Sequence, residues 1–537
     1  MTEGTSSAAN ATSCARPPRW YWGLPAIIAF LRTLPFLCQR LSSPPEGFEY
    51  VGVSFIPKDF LSYLAFIRQV RDNASLLFYN PFTTVPQTPS FVLLFHWALG
   101  AVASVFGIPP NWAFELSRIP LLFVFFWLLW RFLTPWIPAR RTRCWASLLI
   151  GFSGGLECFV LPITSLLPPS ISAVFRQEAW DMYGWSTFAG FFNPLWITSM
   201  ILGLWLLPLI LGTQGPLRRR ELAQVLAGFV LAYFVHPYFA VFLAALGGTR
   251  PVLGWLLRGD KVSKPPGPLL ATLVIALLAC VAAGQWQAMD PVYRNSSAGI
   301  FGTQNVSVFW WPVTLGVVGL LSLRGLAHWW ESGHPWREPM AVWVLTVILL
   351  MTSPIINGYK FVFLIHLPLC ILAAEPLGVI VDHLIAKTRA TRWVSLLLLT
   401  VLLFASPIYL TVRSVRAAKE DSLVPAAYLE IVRELAGLPT GNVLAPADLG
   451  NIIPAYTSDR VWVGQWFLTP YYKDKSTAYQ ALVSSPTVSG TLDSIIADGQ
   501  ILYVVVPSAN AAWLIEHFGP RIGRRSDHGN WVLLVLK

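Results

Sequence analysis

Residues 115–130 read ELSRIPLLFVFFWLLW, and the apolar run continues to Trp136. Its charges, Glu115 and Arg118, stand at the start, and a dozen apolar positions follow before Arg131. A run of about 17–25 such residues crosses the hydrocarbon layer as a helix, the only open-chain form that satisfies its own backbone there. Runs of the same kind fall near 20–38, 144–165, 192–212, 267–284, 307–323, 340–356, 361–379 and 392–411. Across the 537 residues 55% are hydrophobic and 12% are charged, about half the charged share of a soluble domain. No water-soluble core hides that much apolar surface. The composition predicts a polytopic α-helical membrane protein.

The net charge of +11 does not point to nucleic acid, because the basic residues sit in short clusters beside apolar runs. These are Arg140/Arg141/Arg143, Arg218/Arg219/Arg220, Arg250/Arg258/Lys261/Lys264 and Lys387/Arg389/Arg392, and the positive-inside rule assigns all four to the cytoplasm. That assignment decides two ambiguous segments. Pro89 to Gly107 is apolar enough to cross, but counting it would put the Arg140 cluster outside, so it reads as an interfacial or re-entrant helix. Residues 222–256 have basic clusters at both ends, and His236-Pro237 breaks them into two short crossings. The result is about eleven spans. The six cysteines are scattered, with no Cys/His metal spacing and no disulfide framework.

The expected organisation is a disordered, cytoplasmic N-terminus over 1–19, a membrane module over 20–411, and an extracytoplasmic α/β domain over 412–537. The first apolar run has no small-residue cleavage site after it and reads as a retained helix. A long first outer loop, 39–113, carries the interfacial helices. In the tail, SLVPAAYLEIVRELAG (422–437) has helical spacing, whereas NVLAP (442–446), RVWVG (460–464) and ILYVVVP (501–507) read as strands.

Polar groups at the rim of such a bundle are costly and are therefore the best functional pointers. Asp59 opens KDFLSYLAFIRQVRDN, where Phe60, Leu64 and Ile67 share one helical face, as in an amphipathic helix lying on the membrane. A capping role and a chemical role are both open to it. Glu49 stands earlier in the same loop. Glu178 and Asp181 lie in RQEAWDMYGWSTFAGFFNPLW (176–196), whose aromatics suit either an interfacial belt or the faces of a sugar. His236 suits a structural place or substrate contact. Lys360, in INGYKFVFLIHLPL (356–369), suits snorkelling to head groups or binding a lipid-linked phosphate.

The order of one helix, a long outer loop with an early Asp, and a span opening on Arg118 resembles the GT-C superfamily of polyprenyl-phosphate-sugar-dependent glycosyltransferases, a group that includes protein O-mannosyltransferases and aminoarabinose transferases. YNPFTTVPQTPSFVLLFHWALGAVASVFG (79–107) resembles that group's proline-bearing motif, and NVLAPADLGNIIPAYTSDRVWVGQWFLTPYYKDK (442–475) resembles the tail domain of bacterial relatives. The resemblance implies a lipid-linked donor sugar, a lipid, glycan or protein acceptor, and a bacterial plasma membrane. It implies a first-loop carboxylate, here Asp59, acting as general base or binding a divalent cation. The chain reads KDF there rather than a paired acidic motif, and no recognised motif requires a metal. By order, Glu178/Asp181 match the second-loop acids and Lys360 the basic phosphate contact, with Glu49, Arg118 and His236 as further substrate-binding candidates. The alternative is a transporter or flippase of lipid-linked sugars, or a non-catalytic scaffold. The absence of an internal repeat in the sequence, with charges at the outer rim rather than the midplane, favours the enzyme.

Overall fold

A computed structural model describes residues 16–54, 57–164, 166, 168–169, 186–212, 217–258, 267–300, 311–354, 357–484 and 489–537. Among them six helices are long and apolar enough to cross a membrane: Arg19–Leu41, Pro110–Trp136, Pro194–Leu211, Gly267–Gln287, Gly358–Ile385 and Arg389–Glu420. The chain is a multi-pass helical membrane protein. It divides into two compact units, each assembled from three stretches of sequence.

The first unit comprises Met1–Thr33, Leu116–Val281 and Thr303–Arg413. The segment with basic clusters at both ends forms helices Arg219–Val235 and Pro237–Arg258, parted at His236, whose extended backbone (φ −156°, ψ 96°) ends the first. The break falls where proline removes a helical donor.

The run 144–165 differs from the expected single helix. Helix Arg140–Phe152 stops, and a new one runs Glu157–Thr164. Its partner in the break is Gly316, which lies inside Trp311–Glu331 at φ 49° and ψ −141°. A Cβ on Gly155 would meet the carbonyl oxygen of Val313 at 2.3 Å, so only glycine allows the two chains this close. Leu156 N–H donates to that same Val313 carbonyl at 2.7 Å. Each broken helix thereby satisfies backbone groups of the other, the condition for irregular backbone at membrane depth.

The second unit comprises Leu34–Glu115, Ala282–Gly302 and Ser414–Lys537. Strand β1 (Phe48–Tyr50) pairs antiparallel with β2 (Leu423–Pro425). Five further strands are β3 (Asn442–Leu444), β4 (Arg460–Val461), β5 (Ile501–Pro507), β6 (Ile522–His528) and β7 (Trp531–Leu536). They form one sheet in the order β4-β3-β5-β7-β6, with β3, β4 and β5 parallel and β7 antiparallel to both neighbours. Val504, Val506, Val532 and Leu534 are 0–1% exposed in its core, each stabilising by about 1.5–3 kcal/mol relative to exposure.

In the same unit helix Pro57–Asn73 packs on Leu94–Phe106. The latter spans 13 residues, about 20 Å, shorter than the hydrocarbon thickness. The amphipathic surface helix expected at Pro57–Asn73 is instead wrapped by protein. Phe60, Leu64 and Ile67 are buried, but so are Ser62, Arg68 and Gln69. The polar face is buried because it finds partners: Gln69 Nε2 donates to the Tyr79 carbonyl at 3.0 Å, and Arg68 Nε to the Pro454 carbonyl at 3.1 Å.

Candidate active site

Asp59 stands in the first turn of Pro57–Asn73, half-buried, where the helix dipole favours an anion. Its Oδ1 accepts from Gln465 Nε2 at 3.1 Å. Gln465 is itself 1% exposed. The same Nε2 lies 3.3 Å from the Lys58 carbonyl, and Gln465 Oε1 accepts from the Phe467 N–H at 2.8 Å. Asn451 Nδ2 also donates to the Lys58 carbonyl, at 3.2 Å. Both ends of the Gln465 amide are therefore fixed, and the carboxylate it meets is oriented.

The chain that leads into this helix is held as firmly. Gln39 Nε2 donates to the Val53 carbonyl at 2.9 Å, and Asn111 Nδ2 to the Gly52 carbonyl at 3.2 Å. The Tyr456 hydroxyl donates to the Val51 carbonyl. Glu115, fully buried, accepts from the Ser54 hydroxyl at 2.8 Å and from its N–H at 3.3 Å. Gly52 sits at φ 74°, and a Cβ there would meet Asn111 Nδ2 at 3.0 Å and Arg40 at 3.2 Å. Beside the Gln465 loop, burial pushes the Lys475 ammonium down to about 8. Its Nζ donates to the Trp462 carbonyl at 3.1 Å and lies 5.3 Å from that indole.

In the first unit Arg118 is fully buried, and its Nε donates to the Phe192 carbonyl at 2.6 Å. Its guanidinium lies 4.9 Å from the Phe192 ring. Arg32, also fully buried, donates to the Phe188 carbonyl at 2.6 and 3.0 Å and stacks 3.8 Å over the Phe188 ring. The two arginines are within electrostatic reach of one another. Arg32 thus stands as a buried cation close to a second one.

His236 and Lys360 are also brought together. They lie within electrostatic reach, and Tyr238 and Phe361 beside them meet edge to face at 5.9 Å. His236 Nδ1 is buried with no hydrogen-bond partner among the described residues. Glu49 is engaged elsewhere: it forms an ion pair with Arg433 that ties β1 to the following helix Ala426–Ala436. Glu178 and Asp181 lie outside the described residues.

Gln465, Glu115, Arg32 and Glu157 were not singled out from sequence. Glu157 is 5% exposed just after the Gly155 break and accepts from the Ser406 hydroxyl at 3.0 Å. An acid and an arginine inside apolar runs were the available signals for Glu157 and Arg32, whereas nothing local marks Gln465. His366, equally buried, is satisfied on both ring nitrogens by Ser153 (3.2 Å) and Thr187 (3.0 Å) and reads as structural. Among the described residues no group of three or more His, Cys, Asp or Glu side chains is placed to hold a metal ion.

The sequence matches no family model and none of the curated proteins. Solved structures do match. The chain is similar to the aminoarabinose transferase ArnT from Cupriavidus metallidurans, solved bound to undecaprenyl phosphate, with TM-score 0.53, 14% identity, and coverage of 96% of this chain and 97% of that one. It is less similar to the archaeal oligosaccharyltransferase AglB from Archaeoglobus fulgidus (TM-score 0.47, 12% identity, 96% and 74% covered). The arabinofuranosyltransferase AftD from Mycobacteria gives TM-score 0.49 and 17% identity, with 97% of this chain and 42% of that chain covered. The likeness to ArnT shows the fold: this chain shares that protein's architecture along nearly its full length.

Proposed function

We propose that the chain is a membrane glycosyltransferase that moves a sugar from a polyprenyl-phosphate-linked donor to an acceptor hydroxyl on a lipid, glycan or protein. The observation that carries this reading is the GT-C fold, shared with ArnT along nearly the full length of both chains. That ArnT structure holds undecaprenyl phosphate, a ligand whose charged head asks for the cationic groups that this chain buries at Arg32 and Arg118.

In the proposed reaction Asp59 takes the proton of the acceptor hydroxyl as its oxygen attacks the anomeric carbon. The bond from that carbon to the phosphate oxygen breaks, and the lipid phosphate leaves with the electron pair. Arg118 and Lys360 are assigned to the phosphate charge, with His236 and the Glu178/Asp181 pair as further substrate contacts. Glu49 keeps a structural role through Arg433. We place the protein in the bacterial plasma membrane with about eleven spans, its N-terminus cytoplasmic and residues 412–537 as an outer domain. Reporter fusions after residues 140, 219, 388 and 537 test that orientation, and an internal reporter at 537 would overturn it.

A second reading, transport of the lipid-linked sugar, is favoured by the broken helices at Gly155 and Gly316 with the buried Glu157, because discontinuous helices also line transporter sites. One experiment separates the two. Purified protein is given radiolabelled polyprenyl-phosphate sugars, with wild type compared to Asp59→Asn. Turnover that Asp59→Asn lowers by about 10²-fold or more supports the transferase. Equal turnover removes Asp59 as base, and donor movement across liposomes without transfer replaces the reading.

A further inference from the structure

The second unit holds a cavity of about 480 Å³ where its three parallel strands begin. Thr440 and Asn442 contribute from the start of β3, Ser458 and Arg460 from β4, and Gln500 from the turn into β5, with Tyr79 of the first-loop segment completing the polar wall. The size lies within the range of small-molecule sites, about 300–1,000 Å³.

The wall is rich in unused donors. Arg460 Nε is fixed by the Asn442 Oδ1 at 3.3 Å, while its terminal Nη groups meet no protein acceptor and no carboxylate among the described residues. Ser458 Oγ accepts from the buried Arg68 at 2.8 Å, which leaves its own proton to donate. The nearest acids are occupied: Asp72 by Arg68 at 2.7 Å and by Arg71 at 2.8 Å, and Asp459 by the Gly441 N–H at 2.8 Å. The side chains of Tyr79, Thr440 and Gln500 have no hydrogen-bond partner among the described residues.

Gln500 stands at the rim of the cavity. It sits at φ 46°, in the left-handed region, although the preceding Gly499 would adopt that conformation at no steric cost. The position follows the last turn of helix Ser489–Asp498, where a left-handed residue closes a helix, and it brings the amide to the rim of the cavity.

We propose that this cavity binds an anionic saccharide, a sugar phosphate or sugar carboxylate, with the Arg460 fork on the charged group and the Gln500 amide and the hydroxyls on the ring. A fork of Nη donors suits a planar or tetrahedral anion. The amide, hydroxyls and phenol suit a polyol, and the wall offers no second cation for a bare polyanion. The site is distinct from Asp59: Arg68, on the same helix, lies about 14 Å further along its axis. It does not rest on the transferase reading, and its test needs no turnover.

The full-length protein in nanodiscs is titrated with glucose 1-phosphate and with glucuronate, against glucose and inorganic phosphate, by calorimetry. Both charged sugars bind, glucose and phosphate bind more weakly, and Arg460→Ala weakens the charged sugars by about tenfold or more. Arg460→Lys and Gln500→Ala are read alongside, so that a misfolded alanine variant does not decide the matter. The proposal is overturned if neither charged sugar binds, or if inorganic phosphate binds as tightly as glucose 1-phosphate. Unchanged affinity in both Arg460→Lys and Gln500→Ala also overturns it.

Discussion

Gln465 Nε2 and Asp59 Oδ1 meet at 3.1 Å across 406 residues of sequence. Gln465 is fixed in turn by the Phe467 N–H, so the carboxylate oxygen is aimed by a group that cannot rotate away. A base aimed in this manner starts close to its reacting geometry.

Gln465→Leu removes the aim and leaves the base. We expect kcat to fall by about tenfold with the donor KM nearly unchanged, because the interaction concerns the attacking side and not donor binding. A KM rise with constant kcat, measured over a donor titration, would instead make Gln465 a binding residue.

Arg32 and Arg118 are buried like charges, and Arg32 has no carboxylate partner among the described residues. Replacing Arg32 with Met relieves that repulsion in the empty protein and removes attraction for an anionic lipid. Melting of Arg32→Met should therefore match or exceed wild type without lipid, whereas the rise caused by undecaprenyl phosphate should shrink. A lipid-induced rise equal to wild type would exclude Arg32 from the anion site.

At Gly100 a Cβ would come within 2.4 Å of Val70 Cβ and 2.6 Å of the Ile67 carbonyl oxygen, both on the helix that carries Asp59. Gly100→Val must push Leu94–Phe106 away from Pro57–Asn73, at a cost of about 1–3 kcal/mol. Thermal unfolding should shift down, and activity should fall with it because the Asp59 helix moves. An unshifted melt would contradict this packing.

Lys475 titrates near 8 in the folded chain because burial disfavours its charge, against an ordinary value of 10.5. Between those two pH values the unfolded chain holds the proton and the folded chain does not, so stability rises with pH across that window. Below about 8 the full cost of the buried charge remains. Lys475→Met should melt higher than wild type at pH 7, with the gap closing toward pH 10.5; a constant gap would place the ammonium in solvent.

The lipid-embedded character, the short Leu94–Phe106 helix and the His236-Pro237 break were legible because each has a local cause: apolar length, charge placement or a missing proline donor. The break at Ser153–Leu156 was not, although GFSGGLE carries its glycines, because the run is long enough to read as one span and the cause is the approach of Gly316 from a distant segment. The buried polar face of Pro57–Asn73 was misread for the same reason. A helix that buries Arg68 and Gln69 looks amphipathic until Pro454 and Tyr79 arrive as partners. Asp59 stood out as a loop carboxylate, whereas Gln465 is one amide in a soluble-looking stretch.

The second unit draws on residues near both ends of the chain: β1 pairs with β2, and Asp59 is completed by Gln465. During synthesis the Asp59 helix emerges first and waits for a partner more than 400 residues away, about 20–80 s at ordinary elongation rates. For that interval Leu94–Phe106 can cover one face of the helix, whereas Arg68 lacks its Pro454 and Ser458 partners. A ribosome stalled before the tail should leave this segment open to protease, and the nascent protein should depend on chaperones until its last strands appear.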